Sequence, residues 1–218
     1  MARLQTIVLV EGRKPVEGRL GPVLARAGYR VVTAGTKKAA LAKIEETRPV
    51  LILVDVPSVR FSWPRFAAAL ERARFGVPVL ALLPEGEKPG NNPMYLAYPF
   101  SSAKLTKRIA ELLAGVIQVG DVIFNVKEGM LAYRRDQPPL TPKQAQLLEV
   151  FMRHPGQVLT RAFLMKQVWE TDYVGDTQTL TVHVRWLRKL IERNPQSPQY
   201  LRTVRGVGYR FAAPVEDA

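Results

Sequence analysis

The sequence contains no cysteine and only two histidines. Without cysteine the chain has no disulfide, thiol nucleophile, iron–sulfur cluster or zinc ribbon. His154 and His183 lie 29 residues apart, which is too far for a local metal-binding motif. The sequence therefore predicts no metal centre of these kinds.

Long apolar runs are also lacking. No stretch approaches the run of about 18 apolar residues that is typical of a membrane-spanning helix. The apolar run nearest the N-terminus, TIVLV at 6–10, is too short for a signal peptide. We therefore expect a cytoplasmic protein that has no membrane partner.

Acidic residues are scarce relative to basic ones. The chain has 19 acidic and 32 basic residues, which gives a formal net charge of +13 at pH 7. Residues 1–115 hold 18 basic and 9 acidic side chains in no particular cluster, whereas residues 177–211 hold seven basic side chains and one acidic. Such an excess favours a polyanionic partner, and nucleic acid is the first expectation.

The first half alternates apolar strands with helical patterns. We predict strands at 6–10, 29–33, 50–54, 77–83 and 94–98, and helices near 15–27, 36–47, 63–74 and 101–114. Strands that are apolar on both faces and are separated by helices are typical of a parallel sheet covered on both sides. Gly18, Gly21 and Pro22 interrupt the first helical pattern, so that helix is expected to be short or kinked.

The pattern changes near Gly115. Residues 117–136 alternate like a small antiparallel sheet with turns at Gly120 and Gly129. This change marks a domain boundary. We predict a front domain at 1–115, a short linker at 116–120 and a second domain at 121–213.

Three helices and a hairpin complete the second half. Thr141, Pro142 and Gln144 have the arrangement of a capping box with proline in the first turn. We predict helices from Thr141 to about 154, after Thr160 and over 177–193, and then two short strands around a turn at 206–208.

The third helix is amphipathic and basic. Leu180, Val184, Leu187 and Ile191 fall in one narrow sector at helical periodicity and are expected to face the core. The opposite side is mostly polar or basic and fits the major groove of DNA, where Arg bonds guanine and Gln bonds adenine. A charged helix face is often only solvated. The basic hairpin that follows and the preceding helix pair favour a winged helix.

Three segments resemble the effector domain of OmpR/PhoB-type response regulators. They are LTPKQAQLLEVFMRHPGQVLTRAFLMKQVW, DTQTLTVHVRWLRKLIE and YLRTVRGVGYRF, which fall between residues 140 and 211. The resemblance implies that 177–193 is the recognition helix and 203–211 the wing. The DNA-contacting residues that it implies are Gln178, Thr181, Val182, Arg185, Trp186, Arg188, Lys189, Arg205, Val207 and Arg210.

The second half departs from that family at two positions. Family members often carry Arg where this chain has Gln178 and Trp186, so phosphate contacts and base preference should differ. Trp186 could instead be a buried wedge beneath the helix, and His183 is expected to pack or to contact phosphate. The resemblance also implies that a loop contacts RNA polymerase in activators. Its residues are Asp172, Tyr173, Val174, Gly175 and Asp176.

The same resemblance places a receiver domain in front. A receiver is an α/β flavodoxin-like domain with a parallel five-stranded sheet in the order 2-1-3-4-5. That order sets the ends of strands 1 and 3 side by side, so Glu11 and Asp55 should be neighbours. Asp55 occupies the position of the phospho-accepting aspartate.

The expected phosphoacceptor pocket is degenerate. A receiver normally has an acidic pair after strand 1, Thr or Ser after strand 4, and Lys after strand 5. This chain has Glu11-Gly12, Leu83 and Tyr98 there. Phosphoryl transfer depends on Mg²⁺ and on fixed donors that neutralise charge. We therefore expect no cofactor, no effective Mg²⁺ site and no working phosphoacceptor at Asp55.

Other interpretations of Asp55 remain open from the sequence. It could be a solvated cap on its strand, or it could form a salt bridge with Arg13 or Lys14 that imitates an activated receiver. An inefficient phosphorylation site, with Glu11 holding a metal weakly, is a further alternative.

The segment between strands 4 and 5 is unusual. Residues 84–93, PEGEKPGNNP, contain three prolines and two glycines. The family has a full helix there, which forms part of the dimerisation face of phosphorylated receivers. This chain is expected to have a shortened or absent fourth helix. Any homodimer should therefore use another face.

The combined prediction is a regulator rather than an enzyme. We expect a sequence-specific DNA-binding transcriptional regulator that acts without aspartate phosphorylation and without a sensor kinase. Its expected partners are double-stranded DNA, RNA polymerase and a second copy of itself. The alternatives are a phosphorylation-dependent regulator with an inefficient Asp55 site and a weakly specific architectural DNA-binding protein.

Overall fold

The computed structural model describes residues 4–12, 20–73, 75–87, 94–132, 140–171 and 177–214. The chain divides into two compact units, Met1–Val116 and Ile117–Ala218. None of the helices within the described ranges is both long enough and apolar enough to cross a lipid bilayer.

The first unit is a parallel sheet with helices between its strands. The strands are β1 Thr6–Val10, β2 Arg30–Ala34, β3 Leu51–Asp55, β4 Val79–Leu83 and β5 Tyr95–Ala97. The helices are α1 Leu20–Arg26, α2 Lys37–Thr47, α3 Trp63–Ala73 and α4 Ser102–Leu113, with a short 3₁₀ turn at Val56–Ser58. The strand order is β2-β1-β3-β4-β5 and each pair is parallel, which confirms the predicted topology.

Apolar burial explains this arrangement. Every residue of β1 and β3 is buried, as the apolar runs in the sequence predicted. One face of α3 buries Trp63, Phe66 and Leu70 at helical spacing. Because the strands are parallel, the carboxyl ends of β1, β3 and β5 lie along one edge of the sheet.

Two predictions in the first unit fall partly outside the described residues. The first helix, expected near 15–27, is described only as α1, and residues 13–19 are not described. The part of the 84–93 segment that is described, 84–87, is a turn with Gly86 at φ 77°. The rest of that segment is not described, so the shortening or absence of the family's helix between β4 and β5 stays a prediction.

The described residues of the second unit form two small sheets and three helices. The strands are β6 Val116–Val119, β7 Val122–Asn125, β8 Met130–Leu131, β9 Val158–Thr160, β10 Leu201–Val204 and β11 Gly208–Phe211. The helices are α5 Pro142–Arg153, α6 Arg161–Trp169 and α7 Thr177–Ile191. The sheet orders are β6-β7-β8 and β10-β11-β9.

Local sequence signals account for most of these boundaries. The Thr141 hydroxyl accepts the backbone N–H of Gln144, whose side chain in turn accepts the N–H of Thr141, so the predicted capping box is confirmed. Gly120 and Gly129 both have positive φ, at 58° and 63°, in the predicted turns. The predicted linker at 116–120 is wrong, because most of it forms β6, which pairs with β7.

Candidate DNA interface and receiver pocket

Helix α7 has one buried face and one exposed face. Leu180, Val184, Leu187 and Ile191 are buried in the core of the second unit, together with Phe151 and Phe211 among others. The exposed residues of the predicted DNA-contacting set on this helix are Gln178, Thr181, Val182, Arg185, Trp186 and Lys189. The helical periodicity in the sequence therefore predicted the orientation of α7 correctly.

Arg185 and Lys189 give the exposed face its positive charge. Both side chains are exposed, and within the described ranges neither forms a hydrogen bond or an ion pair. They lie on one side of the helix, four residues apart. Both cations are accordingly available to an anionic ligand.

The Arg188 side chain bonds β10, whereas the sequence predicted that it contacts DNA. Its Nε donates to the carbonyl oxygen of Leu201 at 2.9 Å, and its Nη2 donates to Thr203 Oγ1 at 2.7 Å. Its guanidinium lies 6.0 Å from the centre of the Tyr209 ring. Burial lowers the pKa of the Arg188 guanidinium. Arg188 therefore ties α7 to the hairpin formed by β10 and β11.

The hairpin carries the remaining predicted contacts. Arg205 and Val207 lie in its turn and are exposed, and Gly206 has φ 75°. The Val207 N–H closes the turn by donating to the Val204 carbonyl at 3.1 Å. Arg210 is exposed on β11 opposite Arg202. The hairpin thus presents several cations to solvent.

Glu192 fixes the start of this hairpin, a role that the sequence did not predict. Its carboxylate is buried and accepts backbone N–H groups from Gln199, Tyr200 and Leu201 at 2.8–3.2 Å. A buried carboxylate needs such donors to offset its desolvation. The available signal was that Glu192 is the one acid in the basic segment 177–211.

Three aromatic rings contact one another edge to face beside the exposed face of α7. His183 lies between Trp169 and Trp186, with ring centroids 5.0 Å apart on each side. The His183 Nδ1 is 2.9 Å from the Thr179 carbonyl oxygen. Trp186 is 42% exposed, so the interpretation of Trp186 as a buried wedge is wrong. His183 packs, as one of its two expected roles required.

The predicted polymerase-contacting loop lies outside the described residues. Positions 172–176 have no described placement. The same holds for Arg13 and Lys14, which were candidates for a salt bridge to Asp55.

In the receiver pocket, Asp55 is fully buried at 0% exposure. The Tyr98 hydroxyl donates to Asp55 Oδ1 at 2.9 Å. Asp55 Oδ2 is buried and accepts no hydrogen bond from the described residues. The solvated-cap interpretation of Asp55 is therefore wrong. The tyrosine that stands at the expected lysine position is the residue that bonds the aspartate.

Gly12 closes the other side of the pocket. Its N–H donates to Ser58 Oγ at 2.8 Å, and the Ser58 hydroxyl donates to the Asp55 carbonyl at 2.9 Å. A Cβ built at Gly12 would overlap the backbone carbonyl of Ser58. An acidic side chain at position 12 therefore has no room in this arrangement.

These residues do not fit a magnesium ion. Within the described ranges, no group of three or more His, Asp or Glu side chains could hold a metal. The space that a second acid after β1 would need is taken by Ser58. Leu83 is buried and brings no hydroxyl. Of the two acids that the described part of the pocket retains, Glu11 and Asp55, the second already has one carboxyl oxygen bonded to the Tyr98 hydroxyl.

The two units, a five-stranded parallel α/β unit followed by a winged helix, define a class of DNA-binding transcription regulators. Residues 135–211 match the family model for the transcriptional regulatory protein C-terminal domain. The sensory transduction protein RegX3 of Mycolicibacterium smegmatis is 32% identical, covering 95% of this chain and 99% of RegX3.

Two further similarities cover nearly the whole chain. The alkaline phosphatase synthesis transcriptional regulatory protein PhoP of Bacillus subtilis is 30% identical over 95% of this chain and 97% of PhoP. The crystal structure of DrrB, a Thermotoga maritima OmpR/PhoB homolog, is 22% identical over 97% of this chain and all of DrrB, with a TM-score of 0.44.

The chain therefore belongs to the OmpR/PhoB-type response regulators, the DNA-binding transcription regulators of two-component systems. This family consists of regulators and not of enzymes.

Proposed function

We propose that this regulator binds specific DNA sequences without phosphorylation of Asp55. The observation that carries the proposal is the hydrogen bond from the Tyr98 hydroxyl to Asp55 Oδ1, on a carboxylate with 0% exposure. A phosphoacceptor must present a free carboxylate oxygen to the phosphoryl donor, in line with the leaving group. One oxygen of Asp55 is occupied and the other is enclosed.

The charge balance of the pocket supports the same proposal. A phosphoryl group in transit carries negative charge that fixed cations and donors must neutralise. Here Tyr98 provides a neutral phenol where the family has a lysine, and Leu83 provides no hydroxyl. The contact between Gly12 and Ser58 leaves no room for the second acid of a metal site. At these three positions the described residues therefore lack the lysine, the hydroxyl and the second acid of the family's phosphoacceptor pocket.

The DNA-binding half supports sequence readout by α7. Arg185, Lys189 and Gln178 project from its exposed face, and a helix of this size fits the major groove. Arg205 and Arg210 on the hairpin suit phosphate contacts beside it. We assign Arg188 to positioning the hairpin. Binding as a homodimer and contact with RNA polymerase through 172–176 belong to the same proposal.

Intact-mass spectrometry tests the phosphorylation claim. The full chain is incubated with acetyl phosphate and Mg²⁺, beside the variant Asp55→Ala and a receiver known to accept phosphate from the same donor. We expect no phosphoryl adduct on this chain while the reference receiver is modified. An adduct that disappears in Asp55→Ala would contradict the proposal.

Competition binding tests the specificity claim. Duplexes are selected from a random library with the untreated full chain, and the winning site is then competed with unrelated DNA. Specific sites typically bind at least 10³-fold tighter than unrelated DNA. A ratio near one would instead favour an architectural DNA-binding protein.

A further inference from the structure

The exposed face of α7 contains an apolar patch among its charges. Val182 and Trp186 are each 42% exposed and lie one helical turn apart. We call these two side chains the apolar patch. The cations Arg185 and Lys189 flank it, and both are exposed. Covering this exposed indole with a ligand would be favourable, because it would remove apolar surface from water.

The indole of Trp186 is held in place from behind. His183 contacts it edge to face with the ring centroids 5.0 Å apart, and Trp169 contacts His183 edge to face at the same centroid distance. The His183 ring is itself fixed by its hydrogen bond with the Thr179 carbonyl. An aromatic side chain that is already ordered loses little conformational entropy when it binds. The Trp186 indole is therefore already held in an exposed position from which it can contact a ligand.

The surroundings identify the ligand. Two exposed cations beside the patch favour a polyanion over an apolar protein surface. In the major groove of DNA, the C5-methyl of thymine is the apolar group on the base edges. A cationic helix with an indole in its middle therefore matches a groove that has phosphates on both sides and a thymine methyl on its floor.

We propose that Trp186 is a specificity-determining residue that packs against thymine methyl groups in the DNA site, with His183 as its positioning residue. This inference rests on the sequence-specific DNA binding proposed above. The indole replaces a hydrogen-bonding readout by an apolar one at this position of α7. The preferred site should therefore contain thymine at the base pairs that face Trp186.

Replacing thymine by deoxyuridine tests this directly, because it removes only the methyl group. A site is first selected from random duplexes with the full chain. Each thymine is then exchanged for deoxyuridine in turn, and Kd is measured for the unmodified protein and for Trp186→Ala. Burial of one methyl is worth about 0.8 kcal/mol, so the unmodified protein should lose about fourfold in affinity at one or two positions. Trp186→Ala should show no such loss there.

Matched variants separate readout from folding. Lys189→Ala should weaken binding to every duplex yet keep the thymine-to-deoxyuridine ratio. His183→Ala should reduce that ratio, because the indole loses its support. Trp186→Arg, should the alanine variant fold poorly, should shift the base selected at that position from thymine to guanine, which Arg reads by paired hydrogen bonds.

The possible results are distinct. If a site is selected but Trp186→Ala retains the full deoxyuridine penalty, Trp186 does not read the methyl and the inference is wrong. A uniform loss on all sequences in Trp186→Ala, with no penalty in the unmodified protein, would mean a contact with the sugar–phosphate backbone and would also overturn it. If no sequence is enriched at all, the proposed sequence-specific function itself fails.

Discussion

At the scale of single residues, the hydrogen bond between Tyr98 and Asp55 distinguishes this receiver pocket. A fully buried carboxylate needs hydrogen-bond donors, because desolvation without them is costly. The Tyr98 hydroxyl supplies one at 2.9 Å. Tyr98 thus serves the stability of the first unit with the same bond that occupies the oxygen a phosphoryl donor would need.

Removing that hydroxyl should destabilise the first unit locally. Tyr98→Phe removes the donor to Asp55 Oδ1, and a buried polar group left without its partner costs about 1–3 kcal/mol. Hydrogen exchange of the β3 and β5 amides in the full chain measures this as a lower free energy of opening. Tyr95→Phe is the matched control, since Tyr95 begins β5, the strand that Tyr98 directly follows, and is 41% exposed. Equal effects of the two substitutions would contradict the assigned role of Tyr98.

Gly12 gives a second prediction at this scale. Gly12→Ala should destabilise the first unit by about 1–3 kcal/mol, as overpacking does, because the new Cβ overlaps the Ser58 carbonyl. Gly21→Ala is the control, since a Cβ there meets nothing within 4 Å. Chemical denaturation measures the free energy of unfolding of both variants, and hydrogen exchange of the β1 and β3 amides shows whether the change lies in the first unit. A neutral Gly12→Ala would mean that the loop after β3 has room for a side chain.

At the scale of secondary-structure elements, α7 and the hairpin act as one piece. Glu192 at the end of α7 binds three backbone N–H groups of the segment leading into β10. Arg188 bonds β10 from the same helix. These two side chains set the position of the hairpin relative to the helix that carries the DNA-reading residues.

Glu192→Ala should therefore unfold the start of the hairpin. The bond to the Leu201 N–H is buried, and a buried N–H left without an acceptor costs about 1–3 kcal/mol, so the loss should exceed that of an ordinary surface substitution. Thermal unfolding of the full chain, with hydrogen exchange at 199–201, provides the measurement. Glu149→Ala removes only an exposed helix pair with Arg153 and should cost less than about 0.5 kcal/mol. Similar losses in both variants would contradict the account.

Two neighbouring arginines of α7 should differ in what their removal changes. Arg188→Ala is expected to lower the stability of the second unit, because its guanidinium is bonded to β10. Arg185→Ala should leave stability unchanged but weaken binding to the selected site by about 1–3 kcal/mol and relax the base preference at the position that Arg185 reads. Binding titrations at several salt concentrations, paired with thermal melts, distinguish them. The opposite assignment of effects would mean that α7 faces DNA with another side.

At the scale of the whole molecule, the sequence predicted those structural features that depend on a regular spacing of residues. The parallel pairing of β1 to β5, the buried face of α7 and the capping box at Thr141 follow from local periodicity or from a short motif, whereas the strand order was implied by the resemblance to response regulators. The structure confirms all of them. The match to RegX3 covers 95% of this chain and therefore extends over both units.

What the sequence did not predict depends on tertiary neighbours. Strand β9 is only three residues long, and it is a strand because Leu159 pairs with Tyr209 of β11. From its position on the helix, Arg188 could contact DNA as well as Arg185 could. Its bond to the Leu201 carbonyl depends on where β10 lies, which the helix sequence does not specify. Tyr98 looked like the loss of a lysine. Its bond to Asp55 became visible only when the strand ends were placed together.

The most direct test of the central claim is the affinity of the full chain for its selected DNA site, with and without prior acetyl phosphate and Mg²⁺. The unmodified protein and Asp55→Ala are measured side by side. The account predicts tight binding by the untreated unmodified protein, no change after treatment, and the same affinity for a folded Asp55→Ala. Tighter binding after treatment that is absent in Asp55→Ala would contradict it and would restore Asp55 as a working phosphoacceptor.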